Sequence, residues 1–222
     1  MPGSAMNTSR KPYLKIIGGQ IVQPAKKDEA GAVLREYELS NGTKGSKWEV
    51  PFLNWLGIIE GITFKDGEYG ETCNIELDDA ILQLSVGGKY FKDIACKLPN
   101  ADLTKPLLFH PYDMEIDGKK RTGVSLQQGG VKLQNYYYNP ETKENLFGFP
   151  EVDQEKADRK KKTYWKLYFV EVDEFLVDKL KELKFVPPVK SAQADEAERV
   201  FGPDGEEMID ANDIKTPEDL PF

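Results

Sequence analysis

Aromatic, amide and basic side chains alternate in one short segment, VKLQNYYY, at residues 131–138. Successive side chains of an extended strand point to opposite faces, and Val131 and Leu133 assign one face to the core. The other face would carry a cation, an amide and two rings: Lys132, Gln134, Tyr136 and Tyr138. Stacking of splayed bases and neutralisation of phosphates require groups of these kinds. The segment therefore predicts a surface that binds single-stranded nucleic acid.

Neighbouring segments add groups of the same kinds to this surface. The partner strand GVSLQQ turns Ser125 and Gln127 away from its apolar residues, and two basic loops, KKRT and TKGSKW, flank it. The loops contribute Lys119, Lys120, Arg121, Lys44, Lys47 and Trp48. Clusters of this kind bind phosphates without sequence preference. In the alternative interpretation, the tyrosines pack beneath residues 139–163 and the charges belong to a solvated turn.

Catalytic chemistry finds no support in the residue pattern. The single histidine, His110, has no evident partner, and GGK at 87–89 lacks the spacing of a phosphate loop. Asp78 and Asp79 are adjacent, so a strand would point them to opposite faces. Cys73 and Cys96 lie outside any zinc-binding spacing and are interpreted as reduced core residues. We expect no enzymatic activity, no metal and no cofactor.

The acidic charge is confined to one end of the chain. Residues 191–222 carry ten acids against two bases, which accounts for the net charge of −8, and residues 1–190 are neutral. This end has few large apolar residues, so it cannot bury enough surface to offset the entropy of ordering. We predict a disordered acidic tail over 187–222. A tail that only solubilises the protein is the alternative, but it leaves the apolar LPF ending unexplained.

Short apolar or alternating runs separated by turn residues predict a β-rich fold between residues 13 and 170. Asp-Gly pairs predict hairpin turns within 65–70 and 117–120. Apolar residues at helical spacing predict helices over 88–98 and after Val172. The predicted strands are 13–17, 33–39, 47–53, 56–64, 72–77, 81–86, 106–112, 123–128, 131–138 and 164–170.

This order of elements matches the OB-fold, a five-stranded barrel with a helix between its third and fourth strands. The expected fold class is therefore all-β with a few helices: an OB-fold barrel over 11–186, preceded by a disordered segment, 1–10. Additional strands within 13–53 are expected to extend the sheet and to bring Trp48 near the binding groove. No apolar run is long enough to cross a bilayer and no apolar signal core is present, so we expect a cytoplasmic protein.

The chain ends in EDLPF, residues 218–222, which resembles the acidic tip of bacterial single-stranded DNA-binding proteins. Asp219, Pro221 and Phe222 match that tip directly, and Glu218 and Leu220 are conservative replacements. Phage replication proteins with OB-folds often end in a similar way. The resemblance implies a docking peptide whose ring and terminal carboxylate enter a basic pocket on partner enzymes. The long N-terminal region is more similar to phage proteins, and it leaves the oligomeric state open.

Together these features predict a protein that coats single-stranded DNA without sequence specificity during replication, recombination or repair. Its tip would recruit partner enzymes, and a phage-encoded protein would act in the host cytoplasm. The alternative is a β-barrel adaptor or structural protein, for example of a virion, whose aromatic surface binds another protein.

Overall fold

A computed structural model describes residues 11–38, 42–68, 70–159 and 161–185. The predicted N-terminal segment 1–10 and the predicted tail 187–222 lie outside these ranges. Within the described ranges, none of the helices is both long enough and apolar enough to cross a membrane.

Thirteen strands and three helices make up the described part of the chain. The strands are β1 (Tyr13–Ile17), β2 (Gln20–Pro24), β3 (Val33–Glu38), β4 (Lys44–Phe52), β5 (Trp55–Gly57), β6 (Ile59–Lys65), β7 (Thr72–Leu77), β8 (Ile81–Ser85), β9 (Leu107–Ile116), β10 (Lys119–Gln128), β11 (Val131–Lys132), β12 (Tyr138–Asn139) and β13 (Glu144–Asn145). The helices are α1 (Lys89–Ala95), α2 (Gln154–Arg159) and α3 (Lys161–Lys181), and Leu98–Asn100 form a turn of 3₁₀-helix.

The strands form a large sheet, a small sheet and a two-stranded ribbon. The large sheet has the order β3-β4-β2-β1-β8-β7-β6, the small sheet has the order β11-β10-β9-β5, and β12 pairs with β13. All pairings are antiparallel except that of β1 with β8, which is parallel. The β-rich fold predicted from the sequence is confirmed, and strands β1–β4 extend the sheet as expected.

One continuous segment, residues 55–65, belongs to both sheets. Its first part, β5, pairs with β9 through Leu56 and Leu108, and its second part, β6, pairs with β7 through Ile62 and Ile75. A register shift between Ile59 and Gly61 marks a β-bulge at this bend. Neither sheet closes on itself within the described ranges.

The core lies between the inward faces of the two sheets and the helices. Leu14, Ile75 and Leu82 come from the large sheet, Phe109 and Leu126 come from the small sheet, and each is at most 1% exposed. Burying a side chain of this size contributes about 1.5–3 kcal/mol relative to exposure. Helix α3 adds further buried residues: Val172, Leu176, Val177 and Leu180.

Helix α1 covers the edge of the small sheet where β11 ends. The backbone N–H of Leu133 donates to the carbonyl oxygen of Leu126, which continues the ladder on this edge of β10. Two residues before Leu126 on β10, the N–H of Val124 donates to the Asp93 carboxylate at 2.6 Å. The Lys97 ammonium donates to the Val124 carbonyl, also at 2.6 Å. Side chains of α1 and its C-terminal end thus replace a neighbouring strand.

Both predicted hairpins and the internal helix are confirmed. Residues 66–71 join the antiparallel pair β6 and β7, and β9 joins β10 through Asp117 and Gly118. These two residues have φ values of 53° and 68°, the left-handed conformation that a type I′ turn requires. The predicted helix over 88–98 is α1 with the short 3₁₀ turn after it.

The predicted strand at 164–170 is wrong, because these residues lie inside α3. Their aromatic and β-branched composition favoured a strand. The helix instead continues the spacing of Val172, Leu176 and Leu180, whose burial against the core determines its structure.

The predicted strand at 131–138 is also wrong over residues 133–137, which separate β11 from β12. Val131 is 67% exposed, so it does not mark a core face. The chain leaves the sheet because Tyr137 is buried among the rings of Phe149 and Phe175. The polar excursion expected over 139–163 contains strand β13 and helix α2.

Candidate nucleic-acid interface

The outward face of the large sheet is polar across four neighbouring strands. Alternation turns Leu14 and Leu82 into the core, so Lys15 and Gln83 point outward. Strand register aligns these outward residues in rows that cross β1, β8, β7 and β6. One row is Lys15, Gln83, Asn74 and Thr63, and the next contains Ser85, Thr72 and Lys65.

A side-chain hydrogen bond joins two members of the row Lys15, Gln83, Asn74 and Thr63. The Gln83 amide donates to the Asn74 amide oxygen at 3.2 Å, and Asn74 is only 3% exposed. A buried amide that keeps a partner is fixed in orientation, because losing the hydrogen bond would cost desolvation free energy. The Gln83 and Asn74 side chains are therefore ordered, with Gln83 the more accessible of the two.

Two adjacent grooves run along this face and share Lys15 and Ile17. One, of about 340 Å³, extends over Thr72, Gln83 and Ser85 towards α1. The other, of about 390 Å³, extends towards strands β3 and β4 and is lined there by Pro24, Ala25, Arg35, Lys47, Trp48 and Glu49. The exposed ammonium of Lys15 thus lies where the two grooves meet.

An ion pair on the β3–β4 hairpin forms the far wall of the second groove. Arg35 donates two hydrogen bonds to the Glu49 carboxylate, at 2.6 and 2.9 Å, and Glu49 is 5% exposed. These bonds hold the pKa of Glu49 below its ordinary value, against the opposing effect of burial. The Arg35 guanidinium and the Lys47 ammonium lie 5.6 and 5.3 Å from the centre of the Tyr37 ring. The wall therefore combines the Arg35–Glu49 ion pair with Lys47, and the Tyr37 ring lies near both cations.

The structure separates the predicted loop residues Lys44, Lys47 and Trp48. Lys47 faces the groove on the same side as Lys15, and Lys44 lies near the end of the hairpin opposite Glu38. Trp48 lines this groove of the large sheet rather than the surface predicted over 123–138, and alternation along β4 directs its side chain to the face opposite Lys47.

Lys119, Lys120 and Arg121 are exposed at the tip of the β9–β10 hairpin. Lys120 forms an ion pair with Asp113 at 3.1 Å, and Thr122 donates a hydrogen bond to the same carboxylate. Lys119 and Arg121 lie opposite Ile116 and Met114 on the other face of the hairpin. The predicted basic loop is therefore a projecting hairpin end.

Ser125, Gln127 and Lys132 lie together on the outward face of the small sheet. Gln127 pairs with Lys132 on one side and with Leu108 on the other, and Ser125 pairs with His110. The structure thus brings these three predicted residues together. They lie on a different sheet from Lys47.

The structure does not assemble Gln134, Tyr136 and Tyr138 into one aromatic surface. Tyr136 stacks on Phe147 with ring centres 4.3 Å apart and planes at 11°, and Tyr138 lies in the ribbon opposite Asn145. Gln134 is exposed, and its backbone oxygen accepts a hydrogen bond from Asn100. The packing alternative therefore describes Tyr136 better than the stacking surface does.

The polar rows of the large sheet were missed at the sequence level. Their signal was present in YLKII at 13–17, where Tyr13, Lys15 and Ile17 alternate with Leu14 and Ile16. What the sequence did not reveal is the parallel pairing that places this strand beside β8.

The two cysteines and the acidic side chains do not form a reactive or metal-binding site within the described part of the chain. Burial raises the pKa of both thiols, Cys73 and Cys96, to about 12, so they are not reactive thiolates near neutral pH. Within the described part of the chain, no group of three or more His, Cys, Asp or Glu side chains could hold a metal ion. The predicted docking residues, Glu218, Asp219, Leu220, Pro221 and Phe222, lie outside the described residues.

No protein-family model, curated protein or solved structure matches the chain. Its function is therefore inferred from the geometry described above.

Proposed function

We propose that the protein binds single-stranded DNA without sequence specificity along the outward face of the large sheet. The observation that carries the proposal is the row Lys15, Gln83, Asn74 and Thr63, which crosses four strands and begins at Lys15, where two grooves meet. Amides, hydroxyls and lysines are the side chains that contact phosphates and sugars. The outward face of any solvent-facing sheet is polar, but the grooves on this one are lined by Lys15, Arg35 and Lys47.

The order of elements supports an OB-fold as the basis of this site. Segment 55–65, β7, β8, α1, β9 and β10 follow one another as the five strands and the helix of that fold do. OB-folds bind oligonucleotides on the face of their second and third strands, between the first and fourth connecting loops. Here β7 and β8 would supply that face, and the β9–β10 tip with Lys119 and Arg121 would supply one flanking loop.

The role proposed for the whole chain is to coat strands exposed in replication, recombination or repair and to recruit partner enzymes. The second part rests on the resemblance of residues 218–222 to the docking tip of single-stranded DNA-binding proteins. It is tested separately from DNA binding: replacing Phe222 with Ala should leave oligo-dT affinity unchanged and remove the tip's partners from a pull-down. If the wild type and the Phe222→Ala variant captured the same proteins in the pull-down, the docking role of the tip would be contradicted.

Oligo-dT titration followed by tryptophan fluorescence tests DNA binding. The wild type should bind, and Lys15→Glu with Lys47→Glu should weaken binding at least about tenfold, since each lost phosphate contact costs roughly 1 kcal/mol or more. Lys132→Glu is the matched control, because it reverses an exposed lysine on the small sheet. Wild-type protein that fails to bind would contradict the function. Equal losses in the double variant and the control would contradict the choice of face.

Protein binding is a second candidate function, which the outward face of the small sheet favours. Leu56 lies there at 60% exposure, and its partner in the register is Leu108. Leu56, Pro106 and Leu108 line a groove of about 670 Å³. Apolar patches rimmed by polar groups mark many interaction sites. This is the surface that an adaptor or structural protein would use, and its residues are aliphatic rather than the predicted tyrosines.

A further inference from the structure

Helix α3 has its charges sorted by sign along one exposed stripe. Every fourth residue from Lys162 to Asp178 lies along this stripe, and all five side chains are exposed. In order, the residues of the stripe are Lys162, Lys166, Val170, Glu174 and Asp178. Two cations therefore lie on one side of Val170 and two anions lie at the same spacings on the other.

This order of charges is unfavourable for an isolated helix. Lys162, in the first turn, opposes the helix dipole, whereas Lys179 and Lys181 in the last turn favour it. Lys162 with Lys166, and Glu174 with Asp178, are like-charge pairs four residues apart, and such pairs destabilise a helix. Within the described ranges, none of these four side chains forms an ion pair.

Apolar residues lie exposed at the centre of the stripe. Val170 is 47% exposed, and Leu167, on the adjacent turn, is 65% exposed. Beside them, Val170, Val177 and Val86 line a groove of about 490 Å³ between α3 and the end of β8. An apolar centre with charged ends is the arrangement that an interface core and rim require.

We propose that α3 is the contact surface for a second copy of this chain, docked antiparallel across a two-fold axis at Val170. In that arrangement Lys166 of each copy faces Glu174 of the other, because both lie within about 40° of Val170 around the helix. Leu167 and Val170 of both copies meet at the axis. A self-complementary patch is what two-fold symmetry demands, because residue i contacts residue j and residue j contacts residue i.

The charge order selects a second copy over other occupants. Nucleic acid would be attracted by the lysine half and repelled by the acidic half. A partner helix must carry anions opposite the lysines and cations opposite the acids, and an antiparallel α3 carries them at matching spacings. Antiparallel alignment also opposes the two helix dipoles favourably. The apolar centre is small, so the dimer should be weak and should dissociate as salt is raised.

Sedimentation equilibrium without nucleic acid tests the proposal through a charge-swap cycle. Lys166→Glu and Glu174→Lys should each weaken self-association about tenfold or more, because each change places two like-charge contacts in the dimer. The double variant restores opposite charges across the axis and should associate within about threefold of the wild type. Circular dichroism of each variant verifies that the helix is retained.

A second comparison tests the apolar centre. Leu167→Asp should abolish association, whereas Leu53→Asp should not, although Leu53 is 70% exposed and therefore similarly placed in solvent. A monomer at all concentrations, a dimer unaffected by the single swaps, or a double variant that stays monomeric would each overturn the proposal. Loss of oligo-dT affinity in Lys166→Glu with unchanged association would also overturn it, and would assign the lysines to nucleic acid.

Discussion

The ammonium nitrogen of Lys97 lies 2.6 Å from the carbonyl oxygen of Val124. Lys97 is 8% exposed and also forms an ion pair with Asp93, which accepts the backbone N–H of the same Val124. Two charged side chains therefore satisfy both backbone groups of one strand residue. Buried charges are tolerated when they are paired and hydrogen-bonded in this way.

Replacing Lys97 with Met should destabilise the protein by about 1–3 kcal/mol, because the Val124 carbonyl and the Asp93 carboxylate would both lose a buried partner. Urea unfolding monitored by circular dichroism measures the change. Lys105→Met is the control, since Lys105 pairs with Asp102 on the surface, where an ion pair contributes little to stability. Equal effects of the two substitutions would show that the strand edge does not depend on Lys97.

Gly123→Ala should destabilise the fold by about 1–3 kcal/mol through overpacking. A Cβ atom at Gly123 would lie 2.5 Å from the Tyr112 hydroxyl and 2.6 Å from the Asp93 carboxylate, so one of them must move. Gly61→Ala is the matched control in another strand, where the nearest atom would lie 3.8 Å away. Thermal unfolding of both variants compares them. A Gly123→Ala protein as stable as Gly61→Ala would contradict this packing.

The stability that Glu49 contributes to the fold should decrease as the pH is lowered. Hydrogen bonds from Arg35 lower the pKa of Glu49 below its ordinary value of 4.5. A carboxyl group whose pKa is lower in the folded state stabilises that state above its unfolded pKa, and this stabilisation is lost as pH falls through the folded pKa. Glu49→Gln should therefore cost about 1–3 kcal/mol at pH 7 and much less in strong acid.

Urea unfolding of the wild type and Glu49→Gln at neutral and acidic pH measures this dependence. Glu36→Gln, an exposed position on the facing strand, should have little effect at either pH. A cost of Glu49→Gln that persists unchanged in acid would mean that the ion pair is not its source.

Tyr136→Ala should reduce stability rather than affinity for DNA. The ring stacks on Phe147 and packs against the core, so its removal should cost about 1–3 kcal/mol of folding free energy. Tyr138→Ala, at an exposed position, should cost less. Unfolding and oligo-dT titration of both variants separate the two roles. Normal stability with lost affinity would restore the stacking interpretation.

Lys15→Ala should lower the salt dependence of oligo-dT binding by about one unit of the logarithmic slope, because one phosphate contact disappears. Titrations over a series of salt concentrations measure that slope. Lys105→Ala, which removes an exposed lysine from the loop before β9, should leave it unchanged. An unchanged slope for Lys15→Ala would contradict the proposed phosphate contact of Lys15.

Local patterns in the sequence predicted the elements whose structure is set locally. The Asp117–Gly118 turn follows from residues that tolerate positive φ, and α1 follows from the spacing of Phe91 and Ile94. The segment 164–170 has the composition of a strand but is helical, because contacts of later residues such as Leu176 fix the helix. Local composition does not contain that information.

The candidate site depended on pairing between distant segments. Alternation within 13–17 indicated that Lys15 points outward, but only the register with Gln83 places it in a row of polar groups. Conversely, alternation within 131–138 indicated a face that does not exist, because burial of Tyr137 draws the chain out of the sheet. Pairing and burial are tertiary effects, and they determined which candidate residues share a surface.

The parallel pairing of β1 with β8 has a consequence for folding during synthesis. β1 emerges from the ribosome first, but six further strands must be made before Ile81–Gln83 are available to pair with it. The β1–β2 hairpin can form at once from neighbouring residues, yet an isolated two-stranded hairpin is only marginally stable in water. Pairing between distant segments is slow because the intervening chain must first be closed into a loop. The first strand of the large sheet to be synthesised is therefore fixed in place by the last.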